Sequence, residues 1–150
     1  MTGFARLNFV TIGVTDLARA TAFYEAIGWV RSNGSQSEIA FMKSSTGAGT
    51  NVILWSYDEL AHDANLEAAP TEKRHAAFGG QALAVNVPTE SDVTAALATV
   101  EAAGGRILKP ATHADWGGVS GYFADPDGYP WEVAYNPHFT LDDDGVVHLP

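Results

Sequence analysis

Cysteine is absent from the chain, which excludes disulfides and thiolate metal sites and fits a reducing compartment. Basic residues are scarce: 8 Lys and Arg stand against 18 Asp and Glu, a formal charge of −10. Contact with a phosphate backbone needs clustered cations, so this balance argues against nucleic acid as a partner. Long apolar runs are missing as well. No stretch approaches the roughly 20 residues that cross a bilayer, and Met1 to Arg6 carries no basic-then-apolar leader pattern. No membrane partner and a cytoplasmic location are therefore expected. The phosphate-cradling Gly-x-x-x-x-Gly-Lys loop, the dinucleotide glycine fingerprint and the Gly-x-Ser-x-Gly elbow do not occur either. What is present is 150 residues, 46% hydrophobic and 17% charged, enough for one acidic domain with a sizeable core.

The chain reads as one pattern written twice. Leu7 to Val14 has strand character, Asp16 sits at a helix N-cap, and Leu17, Ala20, Tyr24 and Ile27 recur at helical spacing before Gly28. Strands are expected near Trp29 to Arg31, Glu38 to Lys43 and Asn51 to Trp55. The second half repeats the order: a strand from Ala82 to Val87, a helix opening at Thr89 with Val93, Leu97 and Val100 on its buried face, then strands at Arg106 to Leu108, Gly121 to Ala124 and Trp131 to Tyr135. Counting along the repeat pairs Val14 with Val87, Gly28 with Gly104 and Leu54 with Glu132. The expected architecture is α+β, two tandem βαβββ modules forming curved mixed sheets within a single domain. Module one covers about 5–56 and module two about 81–137. A connecting loop over 57–80 opens with a short helix capped at Ser56 and is long enough to cover a site. Residues 138–150 form a C-terminal extension.

The most informative segment is Tyr122-Phe123-Ala124-Asp125-Pro126-Asp127-Gly128-Tyr129-Pro130-Trp131-Glu132-Val133, which reads as strand, tight turn, strand. Its second strand carries one carboxylate, Glu132, among apolar neighbours. A charge so placed needs a partner. It can be satisfied by hydrogen bonds alone, act as a general base, or anchor a cationic or hydroxylated ligand. The Asp-Pro-Asp-Gly turn lacks the spacing of a calcium loop.

The doubled βαβββ order, Val14-Thr15-Asp16-Leu17 followed by Phe23-Tyr24 and Gly28, and the Asp-Pro-Asp-Gly-Tyr hairpin with Glu132 resemble the vicinal oxygen chelate superfamily. That superfamily contains glyoxalase I, extradiol dioxygenases, fosfomycin-resistance transferases and bleomycin-resistance binding proteins. The resemblance extends over roughly Leu7 to Asn136. It implies four metal-ligand positions, which fall here on Phe9, Leu54, Ala82 (or Gln81) and Glu132. Phenylalanine, leucine and alanine offer no lone pair to a cation. His62, His75, His113, His138 and His148 show no compact ligand spacing and are read as surface residues, with His75 or His113 the ones able to swing toward Glu132. No metal ligand set is therefore assigned, and no cofactor is expected; a divalent metal in a rebuilt site is the alternative.

Strand alternation is taken to put Phe9, Thr11 and Gly13 on one face with Leu54 and Glu132, and Trp55 and Trp131 on the other. The expected ligand-binding residues are Phe9, Thr11, Leu54, Ala82, Trp116, Tyr122 and Glu132. Trp116, before Gly117-Gly118, is the foremost ligand contact, and Glu132 is the one candidate catalytic group. These residues suggest a metal-free protein that binds an apolar or aromatic small molecule in a cup beside Glu132. The alternative is an enzyme: a glyoxalase-like lyase, dioxygenase or transferase on a rebuilt metal site, or an acid–base catalyst using Glu132. A homodimer is expected, because each curved sheet needs a partner to close it.

Overall fold

The computed structural model describes residues 5–150, and its fold is α+β. The chain forms two compact units, one running through Thr71 and the other from Glu72 to Pro150. Each unit contains a four-stranded mixed sheet with a helix against one face.

In the first unit the strands are β1 (Phe9–Val14), β2 (Val30–Arg31), β3 (Ile39–Lys43) and β4 (Asn51–Ser56), in the spatial order β1-β4-β3-β2. Strand β1 runs parallel to β4 while β3 and β2 are antiparallel, as a βαβββ connection requires. Helix α1 (Leu17–Ala26) starts where the Asp16 side chain accepts a hydrogen bond from the Arg19 amide at 3.0 Å. It buries Ala20, Phe23 and Tyr24 against Ile12, Leu54, Ala40 and Met42, alternate residues on one side of the sheet. Helix α2 (Tyr57–Asp63) follows β4 directly, capped by Ser56. Tyr57 lies so close over β1 that a Cβ on Gly13 would stand 2.9 Å from its Cα. Only glycine fits there.

The second unit repeats the plan with β5 (Leu83–Asn86), β6 (Arg106–His113), β7 (Val119–Ala124) and β8 (Pro130–Tyr135), ordered β5-β8-β7-β6. Helix α3 (Glu90–Ala102) opens with a capping box between Thr89 and Asp92 and buries Val93, Leu97 and Val100. Strand β6 is five residues longer than its expected end at Leu108. Pro110 cannot donate to a ladder, and β6 accommodates it as an edge strand with two register shifts. Strand β5 is shorter than expected, and Ala82 lies outside it.

The Asp-Pro-Asp-Gly hairpin is held by one side chain. Asp125 Oδ1 accepts hydrogen bonds from the Asp127 amide at 3.0 Å and the Tyr129 amide at 2.9 Å, with Gly128 at φ +98°. The same device closes the C-terminal extension, where Asp142 Oδ1 accepts from the Asp144 and Val146 amides at 3.0 and 2.9 Å. There it joins β9 (Thr140–Leu141) to β10 (Val147–His148), a hairpin of its own.

Candidate functional site

Strand register decides which side chains share a face, because neighbours directly opposite in a ladder point the same way. In the second unit Ala84 pairs with Glu132 and Glu132 with Tyr122, and Tyr122 lies opposite Lys109. These four residues form a row across the sheet. The other face carries Val119, Gly121, Phe123, Trp131 and Val133. Gly121 brings the backbone against Leu97 of α3, so that face is the helix side. Trp131 is buried there, its ring stacked on Phe123 with centroids 6.1 Å apart and planes 4° from parallel. Glu132 thus turns away from the core, half-buried on the open face.

Its partner is Tyr122. Tyr122 stands directly opposite Glu132 in the ladder, and its pKa is raised above the ordinary tyrosine value by burial first, then by the charge and hydrogen-bonding of the Glu132 carboxylate. Tyr122 is therefore a neutral donor over the whole physiological range. The result is a carboxylate beside a neutral phenol, with lone pairs left for other donors.

Trp116 sits in the loop between β6 and β7, which is closed by hydrogen bonds from the Ala114 amide to the Gly118 carbonyl and from the Gly117 amide to the Ala114 carbonyl. Its ring folds onto Gly118: a Cβ there would fall 1.8 Å from ring carbon Cζ3 and 2.2 Å from the Tyr135 carbonyl oxygen. The ring stays 43% exposed. Gly118 precedes Tyr122 by four residues, about 13 Å along an extended strand. Trp116 therefore stands at the far end of β7 from the Glu132–Tyr122 pair. Ala82 is exposed and precedes β5, and Ala84 is the β5 residue beside Glu132.

The two histidines expected to be able to swing toward Glu132 go elsewhere. His75 packs its ring on Tyr129, centroids 4.2 Å apart at 71°, and lies against Gly128, so it covers the hairpin turn. His113 pairs with Val119, on the helix-side phase of β7. Lys109 was missed by sequence reasoning, and only its place just before Pro110 at a strand end could have drawn attention to it.

In the first unit the expected face must be corrected by one residue. Leu54 pairs with Ile12, and it is fully buried on the α1 side. Ile53 pairs with Thr11, and Trp55 with Gly13, so both share the open face with Phe9. Ala84, three residues before Val87, neighbours Glu132, just as Thr11, three before Val14, neighbours Ile53. Glu132 thus corresponds to Ile53 rather than Leu54. Counting residues outward from turns slips easily by one, and in a strand one residue exchanges the faces. Phe9 is 48% exposed, and Thr11 is half-buried beside Ile53.

The sequence pattern of the Glyoxalase/Bleomycin resistance protein/Dioxygenase superfamily matches residues 6–133. The chain belongs to this superfamily. A glyoxalase-related enzyme from Fulvimarina pelagi is similar over 97% of this chain and 99% of that one, at 33% identity and a TM-score of 0.83. A superfamily enzyme from Burkholderia phytofirmans PsJN shares 16% identity over 87% of this chain and 98% of its own, with a TM-score of 0.71. A lactoylglutathione lyase from Agrobacterium tumefaciens shares 20% over 87% and 93%, with a TM-score of 0.63. At these last two identities the likeness is one of fold. No curated protein matches the chain.

Superfamily metalloenzymes hold a divalent ion at four strand positions. The corresponding positions are Phe9 and Ile53 in the first unit and Ala82 and Glu132 in the second, and only Glu132 has a donor side chain. Among the described residues no group of three or more His, Asp or Glu is placed to hold a metal. This donor set does not fit a divalent cation.

Proposed function

We propose that this superfamily member binds a small apolar or aromatic molecule on the open face of its second sheet, without a divalent metal. The observation that carries this reading is the register that sets Tyr122 directly beside Glu132, in a row whose other members supply no further metal donor. A phenol directly beside the carboxylate restricts its orientation. The remaining lone pairs of Glu132 then select a ligand that presents a hydroxyl or a cationic amine. Localisation in the cytoplasm and assembly as a homodimer belong to the same proposal.

A second reading has one observation in its favour. The 33%-identical relative from Fulvimarina pelagi is described as a glyoxalase-related enzyme. Under that reading Glu132 takes a proton from a bound substrate as general base, with Tyr122 orienting it.

Elemental analysis of purified protein, followed by a thermal-shift screen of aromatic alcohols and amines in chelator, tests the proposal. Stabilisation by a hit that persists in chelator and weakens about tenfold in Glu132→Gln is expected, the usual scale of one charge-assisted hydrogen bond. Stoichiometric nickel, zinc, iron or manganese that disappears in Glu132→Ala would overturn the metal-free reading. Turnover of a hit, abolished in Glu132→Gln, would establish the enzyme instead.

A further inference from the structure

The turn that leads into the Glu132 strand is held from two sides. From within, the Asp125 amide donates to the Tyr129 carbonyl and the Gly128 amide to the Asp125 carbonyl, both at 3.0 Å. The Asp127 and Tyr129 amides meet Asp125 Oδ1. From outside, the His75 ring stands edge to face on Tyr129, centroids 4.2 Å apart. Its Cβ lies 3.1 Å from where a Cβ on Gly128 would stand, so a side chain there would crowd it.

The backbone of His75 is unusual as well. It takes φ +58°, the left-handed conformation, just after the single 3₁₀ turn Thr71–Lys73. A residue with a Cβ keeps that conformation where its surroundings over-determine it. Here the path aims the ring back at the hairpin. Beyond it the chain is loosely packed: Phe78 is 73% exposed, and neither Gly79 nor Gly80 has an atom within 4 Å of a Cβ position. The segment then enters β5, where Leu83 lies opposite Trp131 and Ala84 opposite Glu132. One short segment is thereby fastened twice at the start of β8, by a ring on Tyr129 and by the β5 ladder.

We propose that His75 is a positioning residue: it clips the connecting segment onto the Asp125–Tyr129 turn and so fixes where β8 presents Glu132. With the clip seated, the turn is covered and Glu132 keeps its place beside Tyr122. With the clip released, the turn amides open to water and that spacing relaxes. The inference rests on the Glu132 reading for its functional consequence, and it names the residue through which the connecting segment acts on that site.

The test is amide exchange by NMR on the full chain, with His75→Asn, Tyr129→Leu and the double variant. Asparagine tolerates a left-handed backbone, so His75→Asn removes the ring and leaves the path of the chain. Each single variant should speed exchange of the Asp127 and Gly128 amides about threefold to tenfold, the scale of one aromatic pair. The double variant should exchange no faster than the faster single, because both remove the same contact. The Leu97 and Val100 amides of α3 report global opening and should not change. Glu132 is read through Tyr122, whose raised pKa comes in part from that carboxylate. In His75→Asn its 295 nm midpoint, blanked against Tyr122→Phe, should fall toward the ordinary 10.0. A residue that merely covers the turn would leave the midpoint in place. Unchanged exchange at Asp127 and Gly128, equal acceleration in α3, an additive double variant or an unmoved Tyr122 midpoint would each overturn the proposal. None of these readouts needs a ligand, so a failed ligand screen would sink the Glu132 binding reading and leave this result standing.

Discussion

Gly121→Ala tests how the second sheet presents its row. Strand β7 lies so close to α3 and β6 that a Cβ on Gly121 would stand 2.5 Å from Leu97 Cδ1, 2.9 Å from the Lys109 carbonyl oxygen and 3.2 Å from the Ala111 amide nitrogen. Non-bonded carbons prefer about 3.5–4.0 Å, so the Leu97 methyl must move by roughly 1 Å. Leu97 can turn; the two backbone atoms of β6 cannot move without disturbing the ladder. Overpacking of this kind costs about 1–3 kcal/mol, and backbone contact places the cost at about 2–3. For a chain of this size that lowers the melting temperature by about 4–10 °C.

Urea or thermal unfolding measures the loss, and a double-mutant cycle tests its cause. Leu97→Ala alone should cost about 2–5 kcal/mol through the cavity it leaves. In the Leu97→Ala background the methyl added by Gly121→Ala has room on that side, so the double variant should be more stable than additivity predicts by about 1 kcal/mol. A neutral Gly121→Ala, or a strictly additive cycle, would refute the claim that Gly121 sets the spacing of β7 and α3.

Two other perturbations bear on the site. Burial and the Glu132 charge hold the Tyr122 proton, so Glu132→Gln should lower the Tyr122 midpoint in a 295 nm absorbance titration, with Tyr122→Phe as the blank. A raised pKa in the folded state means this stability is fully present below pH 10.0, the unfolded value, and is lost as pH rises through the Tyr122 midpoint. Wild type should therefore lose stability more steeply above pH 10 than Glu132→Gln, and parallel curves would refute the coupling. Gly118→Ala should expel the Trp116 ring from its seat and red-shift its emission, a change absent in a Trp116→Phe background. An unshifted spectrum would show that the ring is held by something else.

Much of this was legible in the chain because local chemistry and fold agree at the places that matter. Asp16 and Thr89 cap helices in the structure as their spacing predicts, and Asp125 closes the hairpin that carries Glu132. Glu132 itself could be read because a lone carboxylate in an apolar strand is conspicuous. Face assignment in β4 was not legible: Asn51 to Ser56 is apolar at four successive positions, Val52 to Trp55, so nothing in the pattern marks inside from outside. Only pairing with β1 decides that Ile53 and not Leu54 is outward. Strand β6 was cut short by Pro110, whose effect depends on whether its strand lies at an edge. The Trp116 seat was hidden for a related reason. Two glycines after a tryptophan announce a turn, while the fact that the ring uses the vacancy at Gly118 depends on the path of Tyr135, far along the chain.

The two halves show how one repeat can carry two chemistries. Thr11, Ile53 and Phe41 stand in register in the first unit where Ala84, Glu132 and Tyr122 stand in the second. Backbone geometry is shared, so the differences lie in the side chains. In the second unit a phenol on β7 stands beside a carboxylate on β8; in the first, a phenyl and a branched alkyl group take those places and offer only apolar surface. The first unit's charge appears two residues further along β3, at Lys43, with the opposite sign.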